Sequence, residues 1–253
     1  MTIVGVETTC VGGAQVARLD VDETARLMCD LARAPARPEG PYYLTSVNGE
    51  VLARRAMDTA FAALVDSADL ISADGQPLVV ASRFMAKRPL PERVATTDLY
   101  PAVARMAQET GASFYLLGAS EDVNRATYDA TKRDYPRLAI RGRSHGYLKG
   151  PALEAKLDEI NALAPDILWL AMGVPLEQRF VADHARRIPN VKMIKTSGGL
   201  FDFVAGAKRR APQWMQDAGL EWAFRLWLEP RRLLKRYLTT NPIAAFLLLT
   251  RTR

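Results

Sequence analysis

One aspartate stands directly after a short apolar run of this sequence. Asp74 lies in LISADGQPL, where Gly75 permits a sharp turn that leaves the carboxylate facing outward. A carboxylate in that position can take a proton from an attacking hydroxyl group. An aspartate behind a strand also caps helices and closes turns, and the residue type alone favours this structural interpretation.

Two neutral polar residues end the preceding apolar run. Ser46 and Asn48 lie in TSVNGE, so we expect them to flank Asp74 on one rim of the molecule. Hydroxyl and amide groups suit the hydroxyls of a sugar substrate. Capping of the following helix explains Asn48 equally well.

Two glycine-containing loops also follow apolar runs. LLGAS contains Gly118, and TSGGLF contains Ser197, Gly198 and Gly199. Such loops let backbone N–H groups approach a phosphate at a helix N-terminus. Neither matches G-x-G-x-x-G or the P-loop pattern, so ordinary turn chemistry explains each loop, taken singly, at least as well.

Metal ligands are scarce in this composition. The sequence has two histidines, His145 and His184, and two cysteines, Cys10 and Cys29. A histidine-based metal cluster, a hydrolytic triad or a disulfide framework is hard to assemble from these residues. We therefore predict a reaction without a metal or a cofactor. His145, in SHGY, is either a substrate contact or a structural residue.

The polar residues above must be positioned by regular elements. Six short apolar runs are typical of buried strands in a parallel sheet: 42–47, 68–72, 113–118, 137–142, 165–173 and 191–199. Four helical patterns lie between them: 49–67, 97–111, 120–136 and 150–165. This alternation predicts a Rossmann-like α/β fold with flanking helices. In such a sheet, ligands bind at the carboxyl ends of the strands, where the polar residues stand.

A different composition begins near Gly206. Residues 208–253 hold ten lysines and arginines against three acidic residues, and the whole chain has a formal net charge of +6. We therefore divide the chain into an α/β core, residues 1–206, and a helical appendage, residues 207–253. A polyanionic partner should meet the appendage, because the core carries almost no net charge.

The appendage mixes arginines with large apolar residues. Arg225, Arg232 and Arg236 recur at spacings of seven and four, close to one helical face. Pro230 suits the first residue of a second helix, which predicts a helical hairpin or a kinked helix. Guanidinium groups suit a diphosphate and equally suit anionic lipid headgroups. The most apolar segment, 241–250, has about half of the roughly 20 residues that are needed to span a bilayer. We therefore expect attachment to a membrane surface.

A long motif covers the junction of core and appendage. GGLFDFVAGAKRRAPQWMQDAGLEWAFRLWLEPRRLLKRY contains F-D-F-x-A-G, R-A-P-x-W and G-L-E-W-x-x-R-L-x-x-E-P-x-R. With the shorter segments SVN, ADG, HGY and GVP, it resembles the WecG/TagA/CpsF family, bacterial glycosyltransferase family 26. The likeness runs from about Tyr42 to Tyr237. Within the family, the chain looks closest to the exopolysaccharide branch, of which the xanthan glucosyltransferase is an example.

The resemblance implies an inverting, metal-independent glycosyltransferase. Its donor would be a UDP-sugar and its acceptor a polyprenyl-diphosphate-linked saccharide, at the cytoplasmic face of the bacterial inner membrane. Asp74 matches the proposed catalytic base of the family, and Ser46 and Asn48 match its substrate-contacting pair. Arg93, in ERVATTD, matches a substrate-site arginine. The appendage arginines fall in the segment thought to close over the site, bind diphosphate and touch the membrane.

The chain departs from the family pattern at two places. GVPLEQ puts Glu177 where glutamine is usual and Gln178 where glutamate is usual, and Thr96 stands where glycine is frequent. An exchange of carboxylate and amide changes which sugar hydroxyls can be bound. UDP-glucose is the first expectation for the donor, with UDP-glucuronic acid and UDP-N-acetylmannosamine as alternatives. The oligomeric state is open, since self-association into a homo-oligomer could also cover an apolar appendage.

Two other classes of protein fit parts of the sequence. A nucleic-acid-binding protein could use the basic appendage, but the core offers no extended basic groove. An NAD-dependent enzyme could use the sheet, but the glycine fingerprint of dinucleotide binding is absent.

Overall fold

A computed structural model describes residues 3, 5–217 and 219–253, apart from the side chains of Asp217 and Arg232. The strands within this part of the chain are β1 (Thr8–Val11), β2 (Ala14–Ala17), β3 (Tyr42–Val47), β4 (Leu70–Ala73), β5 (Ser113–Gly118), β6 (Ala139–Ser144), β7 (Ile167–Ala171) and β8 (Met193–Thr196). The helices are α1 (Val21–Arg33), α2 (Gly49–Met57), α3 (Thr59–Asp66), α4 (Gln76–Met85), α5 (Thr96–Thr110), α6 (Glu121–Asp134), α7 (Gly150–Leu163), α8 (Leu176–His184), α9 (Leu200–Val204), α10 (Gln213–Asp217), α11 (Glu221–Leu228) and α12 (Pro230–Thr250).

The centre of the core is a six-stranded parallel sheet. Its strand order is β4-β3-β8-β7-β5-β6, and each of the six apolar runs of the sequence supplies one strand. The predicted Rossmann-like α/β fold is therefore confirmed. Strands buried on both faces give continuous apolar runs, which is why the sequence shows them so clearly.

Helices cover both faces of the sheet. On one face, Leu44, Phe114 and Trp169 pack with residues of α1 and α5. On the other face, Tyr43 and Leu168 pack with residues of α7 and α8. Because all six strands run in the same direction, the loops after β4, β3, β8 and β7 meet at one edge of the sheet.

Two local features differ from the sequence prediction. The helical pattern over 49–67 forms two helices, because Asp58 adopts an extended conformation (φ −133°, ψ 106°) and caps α3 by accepting from the Phe61 amide at 3.0 Å. The antiparallel hairpin of β1 and β2 was not predicted, since each strand has only four residues.

The appendage is helical, as predicted, and α12 begins at Pro230. The far end of α12 returns to the core: Leu247 and Leu248 lie in one apolar cluster with Val11 and Leu52. A division at residue 206 stays a prediction, and this shared cluster means that the two parts are packed together. Along the described ranges, no helix is long and apolar enough to cross a membrane.

Backbone and side-chain hydrogen bonds tie residues 251–253 to the hairpin. The amide of Gly12 donates to the Thr252 hydroxyl at 3.1 Å, and the amide of Gly13 donates to the Arg251 carbonyl at 2.9 Å. The amide of Arg253 donates to the Cys10 carbonyl at 3.0 Å. The appendage is thus anchored at both of its ends.

Candidate functional site

Asp74 lies at the carboxyl edge of the sheet, directly after β4. Its amide donates to the Val47 carbonyl at 2.8 Å, which fixes the turn beside β3. Its carboxylate Oδ2 accepts from the Thr96 hydroxyl at 3.3 Å. The helix-capping interpretation of Asp74 is wrong, because the N-cap of α4 is Gly75 and no side chain caps it. The carboxylate is therefore available for another role.

Burial raises the pKa of Asp74 above its ordinary value. The charges of Lys195, Arg225 and Arg93 oppose this rise, and the charge of Glu221 adds to it. A carboxylate with a raised pKa is a better proton acceptor near neutral pH than an ordinary aspartate. This environment is what a general base requires.

Lys195 is a site residue that the sequence analysis missed. It belongs to β8, is 0% exposed, and its ammonium group donates to the Ser46 hydroxyl at 2.9 Å and to the Thr196 carbonyl at 2.7 Å. Burial lowers the pKa of Lys195 to about 8, while the charges of Asp74 and Glu177 act in the opposite direction. A lysine inside an otherwise buried apolar run was the available signal.

Ser46 and Asn48 lie on the rim beside Asp74, as predicted. The Asn48 Oδ1 accepts from the Val51 amide at 3.1 Å, so the alternative of helix capping is confirmed. A Cβ placed on Gly75 would lie 3.6 Å from the Cβ of Asn48, which shows how closely the two loops pack. Contact of Ser46 and Asn48 with substrate stays a prediction.

Glu177 and Gln178 lie in the first turn of α8 and are almost completely buried, at 2% and 1% exposure. Burial raises the pKa of Glu177 to about 7, and the Gly198 amide, which donates to its Oε2 at 2.9 Å, opposes the rise. The Gln178 amide nitrogen lies 3.5 Å from the other carboxylate oxygen of Glu177. The Glu177 carboxylate, which stands where the family usually has an amide, therefore connects α8 to the loop after β8.

The loop of Ser197, Gly198 and Gly199 uses several of its donors inside the protein. Both the hydroxyl and the amide of Ser197 donate to the Leu170 carbonyl, at 2.9 and 2.8 Å. The Gly198 amide is taken by Glu177, as described above. These contacts occupy the Ser197 hydroxyl and amide and the Gly198 amide, and the diphosphate role of the loop stays a prediction.

Gly118 is the last residue of β5, and His145 directly follows β6, so both lie farther along the same edge of the sheet. Gly118 has φ +139°, and a Cβ there would lie 2.2 Å from the Ala171 carbonyl oxygen, so only glycine fits. The His145 Nδ1 accepts from the Tyr147 amide at 3.2 Å. Both residues have structural reasons to be present, and their predicted ligand contacts remain predictions.

Arg93 connects the core to the appendage. Its guanidinium group donates to Glu221 of α11 at 2.8 Å and to Asp98 of α5 at 3.3 Å. Arg210 donates to the same Asp98 at 2.6 Å. These alternating charges hold the first part of the appendage over the carboxyl edge of the sheet.

The appendage arginines do not share one helical face, so that prediction is wrong. Arg225 lies on α11, with its guanidinium carbon 5.2 Å from the ring centre of Phe203, and its charge acts on Asp74. Arg236 lies on α12 and pairs with Glu50 of α2 at 2.7 Å. Helical spacing fails here because α11 ends at Leu228. The side chain of Arg232 lies outside the described residues.

Over the described ranges, no cluster of three or more histidine, cysteine, aspartate or glutamate side chains is arranged to hold a metal ion.

Comparison with known proteins identifies the family of this chain. A family model described as "Glycosyl transferase WecG/TagA/CpsF family" matches residues 9–253. The chain belongs to this family and is a glycosyltransferase. The family match gives no support to the nucleic-acid-binding and NAD-dependent alternatives.

Two relatives carry the same name, N-acetylglucosaminyldiphosphoundecaprenol N-acetyl-beta-D-mannosaminyltransferase. The protein of Bacillus subtilis (strain 168) is 31% identical over 189 residues, which cover 75% of this chain and 72% of the relative. The protein of Bacillus spizizenii (strain ATCC 23059 / NRRL B-14472 / W23) is 31% identical over 190 residues, with the same two shares of 75% and 72%.

Proposed function

We propose that this glycosyltransferase moves a sugar from a UDP-sugar to a polyprenyl-diphosphate-linked saccharide, with inversion at the anomeric carbon. The observation that carries the proposal is Asp74, a carboxylate with a raised pKa at the sheet edge, surrounded by cationic groups. The names of the two relatives support a polyprenyl-diphosphate-linked acceptor. A protein that only bound these sugars would have no need of a proton-accepting carboxylate beside several cationic groups.

The proposed chemistry is a single displacement. The Asp74 carboxylate accepts the proton of an acceptor hydroxyl, and the oxygen attacks the anomeric carbon of the donor. The bond between that carbon and the UDP oxygen breaks, and UDP leaves with the bonding electron pair. Arg225, whose charge acts on the same site, is placed to offset the negative charge that develops on the diphosphate.

The donor sugar is the finer part of the proposal. The resemblance to the exopolysaccharide branch favours UDP-glucose, and the relatives' names favour UDP-N-acetylmannosamine. UDP-glucuronic acid is the third candidate. Glu177 would affect the choice of donor indirectly, through the position of the loop after β8. Its carboxylate accepts from the Gly198 amide, and both of its oxygens have partners inside the protein.

We further propose peripheral attachment to the cytoplasmic face of the inner membrane. Trp222 and Trp227 on α11 are 46% and 76% exposed, and Leu238 on α12 is 68% exposed. Exposed tryptophans beside arginines and lysines are typical of surfaces that meet a lipid interface. This surface supports binding of a lipid-linked acceptor without a spanning helix.

The test is acceptor-dependent release of UDP in EDTA. The donors are UDP-glucose, UDP-glucuronic acid, UDP-N-acetylmannosamine and UDP-N-acetylglucosamine, each with and without short-chain polyprenyl-diphosphate-linked sugars. We expect one donor to release UDP only when an acceptor is present, and the Asp74→Asn variant to lose that release. UDP release that is equal with and without every acceptor, or equal in the variant, would contradict the proposal.

A further inference from the structure

The most unusual side chain of the core is the ammonium group of Lys195. A fully buried lysine is rare, because removing its charge from water is costly unless partners compensate. Two of the three ammonium donors go to the Ser46 hydroxyl and the Thr196 carbonyl. Neither acceptor carries a charge, so hydrogen bonding alone does not account for a buried cation at this position.

Two carboxyl groups at the same edge of the sheet act on this charge. Asp74 and Glu177 both interact with the charge of Lys195, and both are themselves in environments that disfavour ionisation. Glu177 stands where the family usually has glutamine and Gln178 where it usually has glutamate, so the exchange puts the buried carboxyl group of this pair at position 177. A buried carboxylate that gains a cation is far less costly than one without a partner.

Sheet geometry places these groups at the same edge. The Cα of Lys195 pairs with that of Leu44, and Ser46 lies two residues further along β3, on the same face. Ser46 pairs in turn with Ser72 on β4, two residues before Asp74. Lys195 therefore extends along one face of the sheet toward the rim that carries Asp74.

We infer that Lys195 is a positioning residue for the transfer reaction: its buried ammonium group holds the Ser46 hydroxyl beside Asp74 and serves as a shared counter-ion of Asp74 and Glu177, which favours the carboxylate form of Asp74. This inference rests on the proposed function of Asp74. If Lys195 served only to fill space in the core, its replacement by methionine would leave the pKa of Asp74 unchanged.

The electrostatic surroundings include more than this trio. The charged groups that act on Asp74 come from β8, α11 and the segment before α5, and they are Lys195, Arg225, Arg93 and Glu221. All of these except Lys195 stay in place in a Lys195→Met variant. The change in the pKa of Asp74 between wild type and variant therefore reports the contribution of Lys195.

The experiment follows the Asp74 carboxyl carbon by ¹³C NMR across pH, with the Asp74→Asn spectrum for assignment. We expect Lys195→Met to raise the apparent pKa of Asp74 by about one unit or more, as loss of a nearby opposite charge should. The acid limb of kcat/KM against pH should move in the same direction. Lys192→Met is the matched control, since Lys192 lies at the opposite end of the sheet, before β8, and should change neither quantity.

A second variant guards against loss of folding. Lys195→Met/Glu177→Gln removes both charges of the buried pair and leaves no uncompensated carboxylate at position 177. Compared with Glu177→Gln alone, the double variant should again show a raised pKa of Asp74. An unchanged Asp74 pKa in the folded double variant overturns the inference, as does a raised pKa with an unmoved pH profile. If the wild-type protein transfers no sugar at all, the proposed function fails, while the NMR comparison still decides the counter-ion role of Lys195.

Discussion

Arg93 and Glu221 form an ion pair of 2.8 Å that joins the core to the appendage beside Asp74. The two side chains are only 15% and 19% exposed, so the pair is better shielded from solvent than an ordinary surface salt bridge. Glu221 also raises the pKa of Asp74, whereas Arg93 lowers it. The ion pair therefore links the position of the appendage to the ionisation of the proposed base.

Neutralising Glu221 tests this link. Glu221→Gln removes a charge that raises the pKa of Asp74, so the acid limb of kcat/KM against pH should shift to lower pH. Arg93 keeps its contact with Asp98, which limits the loss of structure. Glu229→Gln makes the same change where α11 joins α12, and it should leave the acid limb where it is. A shift to higher pH in Glu221→Gln would contradict the assignment.

Asp74→Asn is expected to separate catalysis from binding. Asparagine keeps the shape of the side chain but cannot accept a proton, so turnover should fall by roughly 10²- to 10⁴-fold. The affinity for UDP, measured by isothermal titration calorimetry, should stay near the wild-type value. Turnover equal to that of the wild type would remove Asp74 from the reaction.

Thr96→Val removes the hydroxyl that donates to the Asp74 carboxylate at 3.3 Å. A hydrogen bond to the ionised form favours that form, so its loss should raise the pKa of Asp74. We expect kcat/KM below the Asp74 pKa to fall by roughly two- to tenfold, as the loss of one such bond predicts. Thr97→Val is the adjacent control and should have the activity of the wild type. An equal loss of activity in both variants would point to the helix start instead of the hydrogen bond.

The stability of the protein should depend on pH through Glu177. Its pKa is raised from 4.5 to about 7 in the folded state, so the folded state binds more protons than the unfolded state between these values. The contribution of Glu177 to stability is fully present below about pH 4.5 and is lost as pH rises toward 7. The difference between wild type and Glu177→Gln in the free energy of unfolding should therefore change by up to about 3 kcal/mol. Urea unfolding at a series of pH values measures it, and a pH-independent difference would refute the shifted pKa.

The strands were predictable from the sequence, whereas the partners of the buried cation were not. A parallel strand reveals itself by a continuous apolar run, because both of its faces are covered. The same run in β8 contains Lys195, but the sequence gives no sign that its ammonium group reaches Ser46, a residue 149 positions away. Long-range partners of this kind are set by the order of strands in the sheet, which composition and periodicity do not define.

The appendage shows where helical periodicity misleads. Spacings of seven and four place Arg225 and Arg236 together only if one helix continues through both, and Glu229 interrupts it with a non-helical conformation (φ −130°, ψ 57°).

Asn48 shows the opposite case, in which a local signal was sufficient. Its capping of α2 depends only on residues that follow within one helical turn.

The hydrogen bonds of residues 251–253 with the β1–β2 hairpin attach the C-terminal end of the appendage to the core. Its other end continues directly from the core, so the appendage has two attachments. A segment that is attached at one end can move through a large volume, whereas a segment attached at both ends has a much smaller range of motion. If α11 moved away from the sheet edge, the two attachments would keep Arg225 near Asp74, and its return would be a unimolecular step.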